Sequence, residues 1–389
     1  MANYLFVTWD GAGNLVPTLG AVRALTARGH RVSVLGHASI AERVEAVGAR
    51  FVALSQDDGW DEMADPADFE AEIRLMIESL CFSPLIADDL AACLRRETPD
   101  AIVVDCLLFT ALDVALASGI PTTSLFHTAY TILRGGPLVE MFAPGIALVN
   151  AGRATLGLPA IERLSDIHDA CASAIVAVPS EFEPEIPDAA NVVRIGPVLD
   201  APPLSTTVDA VELAGDLPLV LISLSTSEQG QADLLTRCVD AVAELPVRAI
   251  VTTGPSIDPD TIAAGANTQV VHYAPHAGIL PSAALVITHA GLGTTLAALG
   301  HGVPMVCVPM GRDQFFNAQR VQELGAGTML PPDASTELIA AAARTLLADE
   351  SAHATATRLA TAIAGYPGAN GAADVLESLT ARTELAPTS

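Results

Sequence analysis

Basic residues are scarce in this chain. Its 389 residues include 19 Lys and Arg against 45 Asp and Glu, a formal net charge of −26. A field of that sign repels polyphosphate backbones and anionic bilayers at long range, so neither nucleic acid nor membrane is expected as a partner. Aromatics are scarce too, at 4%, although apolar residues of all kinds reach 51%. A core with so few rings must be filled by Ala, Val, Leu and Ile, the usual content of parallel sheets. The six cysteines, Cys81, Cys93, Cys106, Cys171, Cys238 and Cys307, form no CxxC pair and lie in largely apolar stretches. They read as core thiols of a reducing compartment, and no metal site is expected. No apolar run spans a bilayer without a Gly, Pro or charge break, and MANYLFVTWDGAGN lacks the basic start of a signal peptide. A cytoplasmic protein is expected.

What is present is an alternation of short apolar runs and helical periodicity. Tyr4 to Trp9 is a run ending in Asp10, Gly11, Ala12 and Gly13, after which Val16, Leu19, Val22 and Leu25 recur at helical spacing before Gly29. Further strands are expected at 32–35, 101–105, 121–126 and 174–178, with a helix around 112–117. The stretch 68–97 reads as helical, and 134–159 as an irregular helical excursion punctuated by Gly and Pro. From Gly196 to Pro203 and on to Pro218 the texture turns Pro-rich and polar, as in a linker. The pattern then restarts, with strands at 219–224, 249–252, 270–272, 285–288 and 304–309 and a helix through Leu235 and Val242. Two doubly wound, parallel α/β domains follow, 1–200 and 218–389, joined by a linker at 201–217, the last helix being free to pack back on the first domain. Such sheets bind ligands beyond the carboxyl ends of their strands, so a cleft between the domains is expected. Its informative residues are Asp10 to Asn14, Ser223 to Ser227, His289 to Thr295 and Gly311 to Asn317.

The densest segment runs Tyr273-Ala-Pro-His276, then Thr288-His289-Ala290-Gly291-Leu292-Gly293-Thr294-Thr295, then Gly302-Val303-Pro304, then Asp313-Gln314-Phe315-Phe316-Asn317-Ala318. His289 ends a strand, and two glycines and two threonines open a helix after it. Backbone N–H groups and hydroxyls then converge at a positive helix end, as in a diphosphate cradle. A tight turn beside a core histidine is the plainer alternative.

This ordered set resembles the donor-binding signature of nucleotide-sugar-dependent glycosyltransferases of the GT-B fold, the group holding the bacterial natural-product and macrolide enzymes and the UDP-glycosyltransferases. The resemblance covers nearly the whole chain, because Gly13-Asn14-Leu-Val-Pro17-Thr-Leu19 matches the N-terminal loop and Ser223-Leu-Ser-Thr-Ser227 the end of the first strand of the second domain. It implies two facing Rossmann-like domains and transfer of a sugar from a dTDP- or UDP-sugar to a small hydrophobic acceptor. That co-substrate is needed and no cofactor, and a homodimer is an assembly compatible with the family. Carried over residue by residue, it implies that His289, Thr294 or Thr295, Thr226 and Ser227 hold the diphosphate with Gly291 and Gly293. Tyr273 would stack on the base beside His276, and Asp313 and Gln314 would bond the sugar hydroxyls. Asp313 could instead cap the helix after it, and Tyr273 could be a half-buried strand aromatic.

Two departures matter. A Glu that holds the ribose hydroxyls in many members is replaced by Ala297, which suits a thymidine nucleotide, whose sugar has no 2′-hydroxyl. The histidine base of many members is replaced by Asn14, although its paired aspartate is kept as Asp105. An amide accepts no proton at neutral pH, so the base is sought among Asp105, Asp10 and His127, with a slight lean to Asp105. Inverting, metal-independent transfer is the expected chemistry. A dehydrogenase is disfavoured because Val16 stands at the third glycine of GxGxxG. A nucleotide-sugar epimerase or a non-catalytic activator of the same fold are the remaining alternatives.

Overall fold

The computed structural model describes residues 1–385 apart from 57–58, 62–68, 136, 200–208 and 225–228. The described residues fall into two compact units, one of 1–61, 69–199 and 366–385, the other of 209–365. The first unit holds β1 (Asn3–Val7), β2 (Arg31–Gly36), β3 (Arg50–Ala53), β4 (Ala101–Asp105), β5 (Thr122–Phe126), β6 (Ser173–Val176) and β7 (Val192–Arg194). They form one parallel sheet in the order β3-β2-β1-β4-β5-β6-β7, with Phe6 of β1 opposite Val34 on one side and Val103 on the other. The second unit holds β8 (Leu219–Ser223), β9 (Arg248–Thr252), β10 (Thr268–Val271), β11 (Ala283–Thr288), β12 (Met305–Cys307) and β13 (Gly327–Met329). Their order is β10-β9-β8-β11-β12-β13, again parallel, with Ile222 between Val251 and Ile287. Both are doubly wound α/β sheets.

Central strands are buried throughout, as β1, β4, β5 and β8 show, because helices cover both faces of a parallel sheet. Their apolar runs were the ones legible in the sequence. β3, β7 and β13 were not anticipated. All three are sheet edges, with at most partly buried residues and polar members such as Arg50 and Arg194.

The stretch 68–97 is not one helix. Phe69–Met76 runs into a π turn, Ile77–Cys81, breaks at Phe82 and restarts as Pro84–Arg96, where Ser83 Oγ accepts the Leu85 N–H at 3.3 Å. The break seats Phe82 against Phe109 and Phe142, with ring centroids 5.5 and 6.3 Å apart. The excursion over 134–159 is held by its Ile146–Leu156 helix, whose Arg153 makes a buried ion pair with Asp113 and donates through Nε to the Pro159 carbonyl at 2.7 Å.

The Ala12–Ala27 helix packs against the Gly368–Leu385 helix, which contributes Ala369, Ala372, Ala373 and Leu376 to the core around Tyr4, Phe6, Leu19 and Val22. Of the expected linker, 201–208 lies outside the described residues. The rest is bonded to the second unit: Arg248 donates to the Ala214 and Leu213 carbonyls at 2.8 and 2.9 Å. The six cysteines are unbonded thiols, five buried and Cys93 half-buried. Among the described residues no helix is long and apolar enough to cross a membrane.

Candidate functional site

In each sheet the chain reverses its direction of strand addition once, between β1 and β4 and between β8 and β11. Loops beyond the carboxyl ends of such strands diverge and leave room for a ligand. Two clusters of polar side chains lie there, one in each unit.

In the first unit Asp105 closes β4 with its side chain 1% exposed. Oδ1 accepts the Leu107 N–H at 3.0 Å, and Oδ2 lies 2.8 Å from His127 Nδ1, just beyond β5. Oδ2 has no aligned hydrogen-bond donor, so its approach to the ring is chiefly electrostatic. Cys106 Sγ lies 3.7 Å from the same nitrogen. Burial opposes a charge on His127, but Asp105 outweighs it and holds the imidazole well above its ordinary value. Burial pushes the Cys106 thiol up and keeps it neutral. Asp105, Cys106 and His127 thus bring ligand-type atoms within 4.8 Å of one another, a grouping the scattered cysteines did not suggest. Carboxylate and thiol both face one ring nitrogen, which suits a held imidazolium. Oδ1 is held by the Leu107 N–H and Oδ2 faces the imidazole, so Asp105 is placed to orient His127.

Asn14 and Asp10 are turned to other work. Asn14, 1% exposed, donates through Nδ2 to Thr8 Oγ1 and the Trp9 carbonyl, each at 3.0 Å, and pins the end of β1 to the first turn of its helix. Asp10 accepts the Ser39 hydroxyl, donates its N–H to His37 Nδ1 at 3.1 Å, and accepts Trp60 Nε1 on its carbonyl at 2.6 Å. It organises this loop. The two tryptophans of the chain meet edge-on at 5.2 Å, and Trp9 lies 6.0 Å from the His127 ring. Trp9 Nε1 and Asn14 Oδ1 are buried there with no hydrogen-bond partner among the described residues.

In the second unit His289 follows β11 and is 7% exposed. Ala290 takes a left-handed φ of 66°, with its N–H on Thr288 Oγ1 at 3.3 Å and its carbonyl accepting Asn317 Nδ2 at 3.0 Å. Gly291 caps the Leu292–Gly300 helix, and a Cβ on it would stand 2.5 Å from His289 Nε2. The N–H groups of Leu292, Gly293 and Thr294 open the helix, while Thr295 N–H already bonds the Gly291 carbonyl at 3.0 Å. Thr294 and Gly293 reach the surface and Thr295 is buried. His289 Nδ1, Thr295 Oγ1 and Asn317 Oδ1 are buried with no hydrogen-bond partner among the described residues. Buried polar atoms are almost always paired, so three orphans around one helix start make this loop a candidate ligand site.

The histidines here bring no charge. Burial, then the nearby charge of Arg312 and the field of His276, push His289 down to about 3 against a backbone contact with Ser223. His276 Nε2 lies 3.0 Å from Ser223 Oγ, which also takes the Thr252 hydroxyl at 2.9 Å, and burial pushes it down to about 4. Both are neutral hydrogen-bonding groups at physiological pH.

Gln314 is tied into its own loop. It is 2% exposed, its Oε1 accepts the Met310 and Gly311 N–H groups at 2.8 and 3.0 Å, and its Nε2 donates to Gln229 Oε1 at 2.7 Å. Oε1 and one Nε2 proton thus help to hold the loop. Asp313 stands at the N-cap of the Gln314–Leu324 helix, yet its half-buried carboxylate makes no capping bond. Tyr273 is half-buried after β10, its N–H on Asp209 Oδ2 and its carbonyl on the Asp209 N–H, both at 2.9 Å. Thr226 and Ser227 lie outside the described residues. Asn317 and Arg312 received no role from the sequence, although both fall within the Gly311 to Asn317 stretch. The one available signal was a cation inside a Gly-Arg-Asp turn of a chain poor in cations.

Residues 236–379 match the C-terminal domain of the erythromycin biosynthesis protein CIII-like family. The chain is 27% identical to the demethyllactenocin mycarosyltransferase of Streptomyces fradiae over 407 aligned positions, covering 97% of this chain and 87% of that one. Its fold superposes on the calicheamicin glycosyltransferase CalG4 with a TM-score of 0.81 at 25% identity, over the whole of both chains. It also superposes on the glycosyltransferase VinC, solved in complex with dTDP, with a TM-score of 0.77 at 19% identity, over 98% of this chain and all of that one. With two parallel sheets of this order and the His289 loop at a switch point, the chain has the GT-B fold and is similar over nearly its whole length to glycosyltransferases of natural-product type.

Proposed function

We propose that this enzyme moves a sugar from a dTDP-sugar, or less readily a UDP-sugar, to a small hydrophobic natural-product acceptor, with inversion and without a metal. The observation that carries the reading is the trio of buried, unpartnered atoms of His289, Thr295 and Asn317 around the start of the Leu292–Gly300 helix. Neutral imidazole, hydroxyl and backbone N–H groups suit diphosphate oxygens. Ala297 and the dTDP bound to VinC both favour a thymidine nucleotide.

In this reading His127 is the base and Asp105 its positioning residue. The acceptor atom bonds to the anomeric carbon, its proton passes to His127, and the anomeric C–O bond breaks with its electron pair leaving on the diphosphate. His127 is held as an imidazolium by Asp105, so it must lose that proton before it can accept another. Turnover should therefore be low in acid and rise as pH passes a value above the ordinary one for histidine.

The test is turnover of His127→Gln and Asp105→Asn across pH, with dTDP- and UDP-sugars and a panel of phenolic acceptors. Removing a general base costs roughly 10²- to 10⁴-fold, expected for His127→Gln with nucleotide affinity intact. Asp105→Asn removes the anion that raises the imidazole, so its rising limb should move to lower pH. Near-normal turnover in His127→Gln would exclude this base. Retention of the donor's anomeric configuration, read from proton couplings, would exclude inversion, and activity lost in excess chelator and restored by Mg²⁺ or Mn²⁺ would exclude metal independence.

A further inference from the structure

A diphosphate brought to the His289 loop meets a molecule of net charge −26 and a neutral imidazole. The helix start offers N–H groups and a partial charge, and a doubly ionised ligand in a partly desolvated site needs more. The adjoining loop holds a cation. β11 and β12 are neighbours in the sheet, and the Val308 N–H bonds the Thr288 carbonyl at 2.8 Å, so the loops that follow them leave side by side. Among the described residues Ala290 and Arg312 are the non-glycine residues with positive φ, at 66° and 51°, and they sit one in each of these loops. The Gln314–Leu324 helix clamps both. Asn317 bonds the Ala290 carbonyl, and Gln314 gathers the Met310 and Gly311 N–H groups while its own N–H bonds the Gly311 carbonyl at 3.1 Å.

Left-handed geometry is unfavourable for a side chain as large as arginine and persists only where the surroundings impose it, often at a binding site. Here it sets a half-buried Arg312, in the loop next to the one that carries His289, close enough for His289 to feel its charge. We propose that Arg312 binds the donor's diphosphate and supplies the counter-charge of this site, so that the loop through Asp313 is a wall of the diphosphate pocket as well as a sugar contact. The inference rests on reading this site as the donor site.

Calorimetric titration of the full chain with dTDP, UDP and thymidine tests it. Arg312→Gly keeps the left-handed backbone and removes the guanidinium, Arg312→Gln removes the charge but keeps bulk, and Arg312→Lys restores a cation. A charge-assisted contact predicts that Gly and Gln weaken diphosphate binding on the order of 10- to 100-fold, that thymidine binding stays within twofold, and that Lys recovers most of the loss. Diphosphate affinity within twofold of wild type in Arg312→Gly, with an unchanged melting temperature, would overturn the inference and leave the donor site standing. A wild-type chain that binds neither dTDP nor UDP would overturn the donor site and the inference together. Equal weakening of thymidine and dTDP would show a collapsed loop in place of a lost charge and would also count against it.

Discussion

At Gly291 the constraint is space. Its φ of −57° and ψ of 135° are open to any residue, but a Cβ would stand 2.5 Å from His289 Nε2. Gly291→Ala should therefore push the imidazole off its seat at a cost of about 1–3 kcal/mol, read as weaker dTDP binding with the fold preserved. Unchanged affinity and melting temperature would mean that His289 has a second seat. The sequence made the His289 loop legible because a strand end, two glycines and two threonines at fixed spacing have a mechanical meaning together. It also put Asp105 and His127 among the three candidate bases. Which of them pair could not be read, because Asp105 and His127 meet only once β4 and β5 lie side by side. For Gln314 the motif names a residue without saying which way its amide turns, and here Oε1 turns into the loop.

Among the elements, the Ile146–Leu156 helix is held to the Phe109–Ala117 helix by Arg153 and Asp113, whose side chains are 3% and 4% exposed. Breaking a buried pair leaves a stranded charge, at about 3–5 kcal/mol, whereas replacing both partners by apolar groups is often neutral. Arg153→Met alone should lower the unfolding free energy by about that amount, and Arg153→Met with Asp113→Leu should recover most of it in chemical denaturation. A double variant no more stable than the single would show that the pair specifies the helix position in a way packing cannot replace. The central strands were legible, and of the four edge strands only β10 was, from its Val270–Val271 pair. Central strands appear as apolar runs because both faces are covered, while β3, β7 and β13 carry solvent on one side and their pairing on the other. An edge strand is defined by its neighbour more than by its own composition.

For the whole molecule, the first unit is closed by residues from both ends of the described chain. Leu376 is fully buried among Tyr4, Val22 and Leu25, so Leu376→Ala should destabilise this unit by about 2–5 kcal/mol. The probe is built in. Trp9 and Trp60 are the two tryptophans of the chain and both belong to this unit, so tryptophan fluorescence, excited at wavelengths where tyrosine does not absorb, follows its unfolding alone. Leu376→Ala should shift the fluorescence transition and leave a later transition, seen by circular dichroism, in place. Equal shifts by both probes would mean that the units unfold as one.

The place of the Gly368–Leu385 helix also bears on how the protein is made. A chain emerging during synthesis presents residues 1–199, then the whole of 209–365, and only afterwards the helix that completes the first core. Domains usually mature in the order in which they are synthesised. Here the later unit is complete by residue 365, while the earlier one, its seven strands in place by Arg194, must wait for its last helix with Tyr4, Leu19 and Val22 uncovered. That half-finished face, more than the finished enzyme, is where a chaperone would find apolar surface to hold.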